Sequence, residues 1–173
     1  MNSSITSHRP ALEAAAQRAT AGLQDLGLLG LRLFVGQEFL LAGWTKLSGG
    51  LQPPEWFAGL AFPFPHDLLG AQLNWLVAGT GELLLGAALI LGLYSRFAAL
   101  GLLYITYVAV YSVHFDLGWA GWNQIETEQG QGFKVPLMLA LMLLAVLTQD
   151  GGQYALDAWR RRARARTLQP RPA

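Results

Sequence analysis

The chain has 173 residues, 53% of them hydrophobic and only 13% charged, with a formal net charge of +1 and no cysteine. That is too apolar for a soluble domain of this length, and the charges gather at the ends, as in a membrane protein with polar flanks. Without cysteine there is no disulfide, thiolate metal site or cysteine redox chemistry, so any redox role needs a bound cofactor or a partner.

In chain order, residues 1–26 form a cytoplasmic N-terminal segment. Its stretch "PALEAAAQRATAGLQDLG" is rich in helix formers and is expected to lie partly helical along the membrane surface. It does not read as a cleaved signal peptide, because the apolar stretch starts only near Gly27 and is too long for an h-region. A bilayer core takes about 20 mostly apolar residues per helix. Four segments meet that demand, at about 27–47, 73–93, 97–115 and 133–149, the last short but uniformly apolar after Lys134. The expectation is an all-α, integral membrane four-helix bundle over residues 27–157, followed by a basic cytoplasmic tail over 158–173.

Between the first two segments, residues 48–72 hold prolines that forbid a long helix and aromatics that are costly to leave in water. This loop is expected to fold back on the mouth of the bundle, as a lid over a cavity or as an interfacial anchor. A second loop covers residues 116–132. Trp44, Trp56, Trp75, Trp119 and Trp122 fall near the same interface and read as an aromatic belt. Arg9, Arg18, Arg96, Arg160, Arg161, Arg162, Arg164 and Arg166 all fall on the opposite side, which predicts both termini inside. The arginine run beside the last apolar segment suits anionic lipid headgroups better than nucleic acid.

Polar residues within apolar segments are the candidates for function. Glu82 shares a helical face with Ala78, Gly79 and Gly86, small residues that admit a close neighbour and turn the carboxylate into the bundle. Arg32, Gly36, Gly43 and Lys46 share a face of the first segment, with Glu38 about a third of a turn away. By depth, an extended Arg32 reaches Glu82, and two carboxylates at one depth require at least one to be paired or protonated. Tyr104, Tyr107 and Tyr111 form a stripe on the third segment leading to His114. The intramembrane polar cluster is therefore Arg32, Glu38, Glu82, Tyr104, Tyr107 and Tyr111. An outer-face cluster holds Lys46, His66, His114, Asp116 and Lys134. His114 with Met138 and Met142 is the candidate metal set, the thioethers being suited to Cu(I), although methionines in an apolar helix are commonly core filler. Two readings of Glu82 stand side by side, a hydrogen-bonded helix clamp and a proton-exchanging group.

Three stretches, "LRLFVGQEFLLAGWTKLSG", "GTGELLLGAALILGLYSRFAAL" and "GGQYALD", resemble the DoxX family of small four-helix bacterial membrane proteins. The likeness runs from about Gly27 to Asp157, with "AGWTKL" and "GELLLG" as its most specific motifs, and it matches the family's Arg, Lys and Glu to Arg32, Lys46 and Glu82. The Trp-rich outer segment and "KVPLMLALML" resemble the HvfX-like branch, associated with maturation of ribosomally made copper-binding peptides. What the resemblance implies is a multi-pass protein of the bacterial inner membrane. It would assist maturation or export of such a peptide beside a peptide-modifying enzyme, with copper held jointly. The alternative it implies is a membrane subunit of a thiosulfate:quinone type oxidoreductase, holding a quinone beside a redox subunit, and a further one is a small proton or solute carrier. A homo-oligomer is compatible with each, and none makes this chain an enzyme by itself.

Overall fold

The computed structural model describes residues 5–149 and 151–168; residues 1–4, 150 and 169–173, the outer ends of the expected N-terminal segment and basic tail, lie outside the described residues. Helix α1 runs from Ile5 to Ser48 and the short α2 covers Glu55–Ala58. Helix α3 spans Ala71–Leu91, α4 Ser95–Val113, α5 Lys134–Gln149 and α6 Leu156–Leu168. Strands β1 (Glu126–Thr127) and β2 (Gly130–Gln131) pair antiparallel, with Glu126 opposite Gln131 and Thr127 opposite Gly130. Two differences from the expected elements stand out. The surface-lying segment and the first spanning segment are one unbroken helix, and the second outer loop carries a small hairpin.

Among the described residues, three stretches are long and apolar enough to cross a membrane: Gly22–Ser48, Ala71–Leu91 and Ser95–Val113. Helix α5, at 16 residues, is shorter. Only 22% to 33% of the residues in the most apolar window of each stretch are buried, so much of their apolar surface is left outside the bundle, the reverse of a soluble one. The inner faces meet in a small core of Val35, Phe39, Leu89, Ala98, Ala99, Leu102, Leu143 and Val146. Helix α1 packs most extensively on α3, α3 on α4, α4 on α5, and α5 returns to α1.

The α1–α3 contact is a glycine seam. A Cβ built at Gly43 would fall 2.6 Å from the Gly79 carbonyl oxygen and 2.5 Å from Leu83 N, and one at Gly86 would fall 2.8 Å from the Gly36 oxygen. Glycines seven residues apart on each antiparallel helix thus let the backbones touch, as the shared faces predicted. At the far end, α3 stops on Gly92 in the left-handed conformation (φ 69°), with Gly92 N donating to the Leu89 carbonyl and Leu93 N to that of Ala88. The segment after α5 folds against this stop, where Asp157 N donates to the Gly92 carbonyl and Ser95 N donates to Asp157 Oδ2.

Arg32 sits in that same corner, fully buried. Its Nε donates to the Leu89 carbonyl at 3.0 Å, Nη2 to that of Ile90 at 3.1 Å, and Nη1 to that of Gly151. The expected reach from Arg32 to Glu82 is therefore corrected. The guanidinium fork donates to carbonyls in the last turn of α3, sharing that of Leu89 with the Gly92 N–H, and ties α1 to the chain beyond α5, which a planar multi-donor group does well.

Candidate functional site

A cavity of about 390 Å³ opens among α1, α3, α4 and α5 at the loop end, away from Arg32. Its walls are mostly apolar, with Phe39, Ile105, Val108 and Leu139 among them. Over it folds the first loop. Phe57 is buried against Trp75 with ring centres 4.9 Å apart and against Phe62 at 5.3 Å, while Trp56 stands edge-on to Trp75. Trp75 Nε1 donates to the Gly50 carbonyl at 3.2 Å, pinning the loop's start to α3. Trp56, Phe57, Leu60 and Phe62 all line the cavity, so the loop takes the place expected of a lid.

Glu82 lies in the cavity wall, paired with Lys46 rather than Arg32. Lys46 Nζ stands 2.7 Å from Oε2 and 3.0 Å from Oε1, and the two side chains are 22% and 9% exposed. The glycine seam makes this pair. A Cβ built at Gly79 would be 3.3 Å from Lys46 Cβ, so the lysine stem starts one helical turn from Glu82 and leans along the wall to meet it. The two clusters expected separately, one intramembrane and one at the outer face, thus join at this ion pair.

Other expected residues divide. Glu38 borders the cavity from an exposed position on α1, and Tyr104 borders it from α4. Tyr107 and Tyr111 are exposed and do not line it, so the structure parts them from Glu82 and Tyr104 in the expected intramembrane cluster. His66 and His114 both line it. Asp116 instead accepts from Gln131 N at 3.0 Å and holds the β1–β2 hairpin, while Lys134 begins α5 with its N–H on the Gln124 carbonyl; neither borders the cavity. Met138 is exposed and Met142 packs on the core, so the methionines do not join His114 in the cavity wall. Among the described residues no group of three or more His, Cys, Asp or Glu converges as a metal site.

Asn74 is a site residue the sequence reading missed. Buried at the start of α3, it donates through Nδ2 to the carbonyls of His66 (2.9 Å) and Leu69 (3.3 Å), and this fixes its Oδ1 as the acceptor facing His66 Nδ1 at 2.7 Å. His66 therefore donates from Nδ1 and, when neutral, presents Nε2 as an acceptor. Its ring lies 5.6 Å from that of Tyr104. His114 Nδ1 and Ser112 Oγ are buried with no hydrogen-bond partner, and both residues line the cavity. Burial holds the His114 imidazole below the ordinary histidine value, partly offset by Asp116, so the neutral ring is favoured.

An apolar cavity with a few convergent polar groups, set within outward-apolar helices, defines a helical membrane protein with a ligand-sized internal site. Residues 27–115 match the DoxX family, and the chain belongs to that family of membrane proteins. A protein of Haemophilus influenzae described as uncharacterized is 39% identical over 134 residues, covering 76% of this chain and 82% of its own. No solved structure matches.

Proposed function

We propose that the cavity holds the head of a lipid-soluble quinone and that this chain is the membrane subunit of a quinone-linked oxidoreductase working with a redox partner. The observation that carries the reading is the Lys46–Glu82 pair set into a mostly apolar 390 Å³ cavity beneath an aromatic lid. A quinone ring is planar and apolar with acceptor oxygens at opposite edges. Lys46 supplies a charged donor at one edge, and the unpartnered Ser112 hydroxyl and His114 imidazole supply hydrogen-bonding groups at the other. Bound quinone would supply two-electron, two-proton redox chemistry. The chain's own part is to orient the ring, exclude water beneath Trp56 and Phe57, and hold a proton-exchanging carboxyl at Glu82.

The arginines of the α3–α4 turn and of α6 support a cytoplasmic placement of that end, with the cavity and its lid facing the other side of a bacterial inner membrane. Helix α5 begins beside the end of α4, where Phe133 meets Phe115 at 5.9 Å, and it ends where Gly151 meets Arg32; this supports a fourth crossing. The peptide-maturation role of the HvfX-like branch draws support from the exposed Trp119 and Trp122, which offer a partner surface at the loop end. Copurification of a precursor peptide or its modifying enzyme tests that role.

The quinone reading is tested by titrating a short-tailed ubiquinone analogue into the full-length protein in nanodiscs and following tryptophan fluorescence, since Trp56 and Trp75 stand at the lid. Saturable quenching is expected, weakened at least tenfold in Lys46→Met by loss of a charged hydrogen bond. Quenching that is linear and equal in both proteins would sink the assignment.

A further inference from the structure

We infer that the arginine end of the molecule carries a separate binding site for a phosphate group, and that its occupant is the headgroup of an anionic phospholipid. A second cavity, of about 280 Å³, lies between the start of α4 and α6. The described residues that line it include four arginines, Arg96, Arg160, Arg161 and Arg164, and one acid, Asp157. That carboxylate already accepts the Ser95 N–H, and Asp157 N donates to the Gly92 carbonyl, so the base of the cavity is fixed by the same contacts that dock α6. Arg160, Arg161 and Arg164 fall within one face of α6 by the 3.6-residue period, while Arg162 and Arg166 project from the opposite face. Planar, multiply donating cations arranged around one space recognise phosphate oxygens.

The surroundings select a lipid over a free anion. The apolar spanning stretch of α4 begins at Ser95, so the cavity lies level with the membrane surface. Tyr94 and Phe97 border it and are 62% and 74% exposed. From Phe97 an exposed stripe continues through Leu100 and Tyr104 to Tyr107 and Tyr111 on one face of α4. A phosphate in the arginine cavity thus has an apolar track leading away from it into the bilayer, the length on which an acyl chain would lie. A soluble phosphate has no use for that track.

The test uses full-length protein in a neutral detergent, titrated with short-chain phosphatidylglycerol, phosphatidylcholine of equal chain length, or inorganic phosphate, and read by thermal midpoint and by native mass spectrometry of retained lipid. Phosphatidylglycerol is expected to raise the midpoint and to be retained, where phosphatidylcholine is not. Removing two interfacial arginines, in Arg160→Gln with Arg164→Gln, should weaken its apparent affinity on the order of 30-fold. The pair Arg162→Gln with Arg166→Gln removes the same charge from the opposite face of α6 and should leave the affinity near that of the unmodified protein. Equal loss in both double variants would reduce the effect to diffuse charge and overturn the site. Equal stabilisation by phosphatidylcholine, or by inorganic phosphate alone, would overturn the lipid assignment.

Discussion

The Lys46–Glu82 pair shows how a partly buried charge is tolerated within a membrane helix, because each ion is held by the other and neither faces the bilayer alone. Removing one partner leaves the other uncompensated, so Lys46→Met should lower stability in detergent by about 3 kcal/mol, and adding Glu82→Gln should restore much of it. A double-mutant cycle on thermal or denaturant midpoints checks this; a single Lys46→Met as stable as the parent would show that the pair contributes nothing. His114 gives a second, pH-dependent expectation. Its folded-state value lies below the ordinary 6.5, with burial the larger cause, so the unfolded chain binds the proton first. Stability is then fully present above that ordinary value and falls as pH drops through it toward the lowered folded value, and His114→Gln should flatten this part of the profile. An unchanged slope in the variant would assign the dependence elsewhere. Glu82 was legible in the sequence because a carboxylate flanked by glycines has to face a neighbouring helix. Its partner was not, because helical period fixes a face but not the stagger of α1 against α3. That stagger brings Lys46, two residues from the end of its helix, within reach of Glu82, and leaves Arg32 at the other end of the bundle. Asn74 escaped notice for a related reason: an amide at a helix start gives no signal until the loop carbonyls it satisfies are in place.

At the scale of elements, the apolar runs placed α3, α4 and α5 to within a few residues, because hydropathy and rise per residue decide their lengths. No helix break marks residue 27, where the apolar region and the family match begin, since nothing between the amphipathic stretch and the apolar one interrupts the hydrogen-bond ladder of α1. The hairpin at Glu126–Gln131 was hidden in a polar loop too short to show alternation. The glycine seam yields a paired expectation. Gly43→Ala places a methyl 2.5 Å from Leu83 N, a backbone atom that moves only if the whole helix moves, and overpacking of this kind costs about 1–3 kcal/mol. Gly30→Ala lies in the same helix, its new Cβ meets nothing within 4 Å, and it should be neutral or stabilising by up to about 1 kcal/mol. Thermal midpoints of the two variants in one detergent check this, and similar midpoints would mean that the seam is not closely packed in solution. Separation of α1 from α3 in Gly43→Ala also draws Lys46 from Glu82, so the variant should bind a cavity ligand more weakly.

Over the whole molecule, one end gathers aromatics, a lid and a cavity, while the other gathers arginines, the Arg32 clasp and α6. The crossings of α3 and α4 already part the lid from Arg96, and α6 reaches the Arg96 end only if α5 crosses the bilayer as well. At 16 residues and a 1.5 Å rise, α5 is about 24 Å long, short of a typical core of about 30 Å. Its contacts nonetheless run from the end of α4 to the end of α3, the same two levels that α4 itself connects, and local thinning of the bilayer accommodates a mismatch of this size at modest cost. The natural absence of cysteine makes this directly measurable. Gln129→Cys, in the exposed turn of the hairpin, and Thr167→Cys, on exposed α6, each introduce a single thiol. In intact bacterial spheroplasts a membrane-impermeant maleimide is expected to label Gln129→Cys, and Thr167→Cys only after the membrane is opened. Labelling of both without opening would mean that α5 returns to the side it started from, which would part α6 from Arg96 and dissolve the arginine site. Reversal of the pattern would keep four crossings and overturn the orientation, leaving the lid and its cavity toward the cytoplasm.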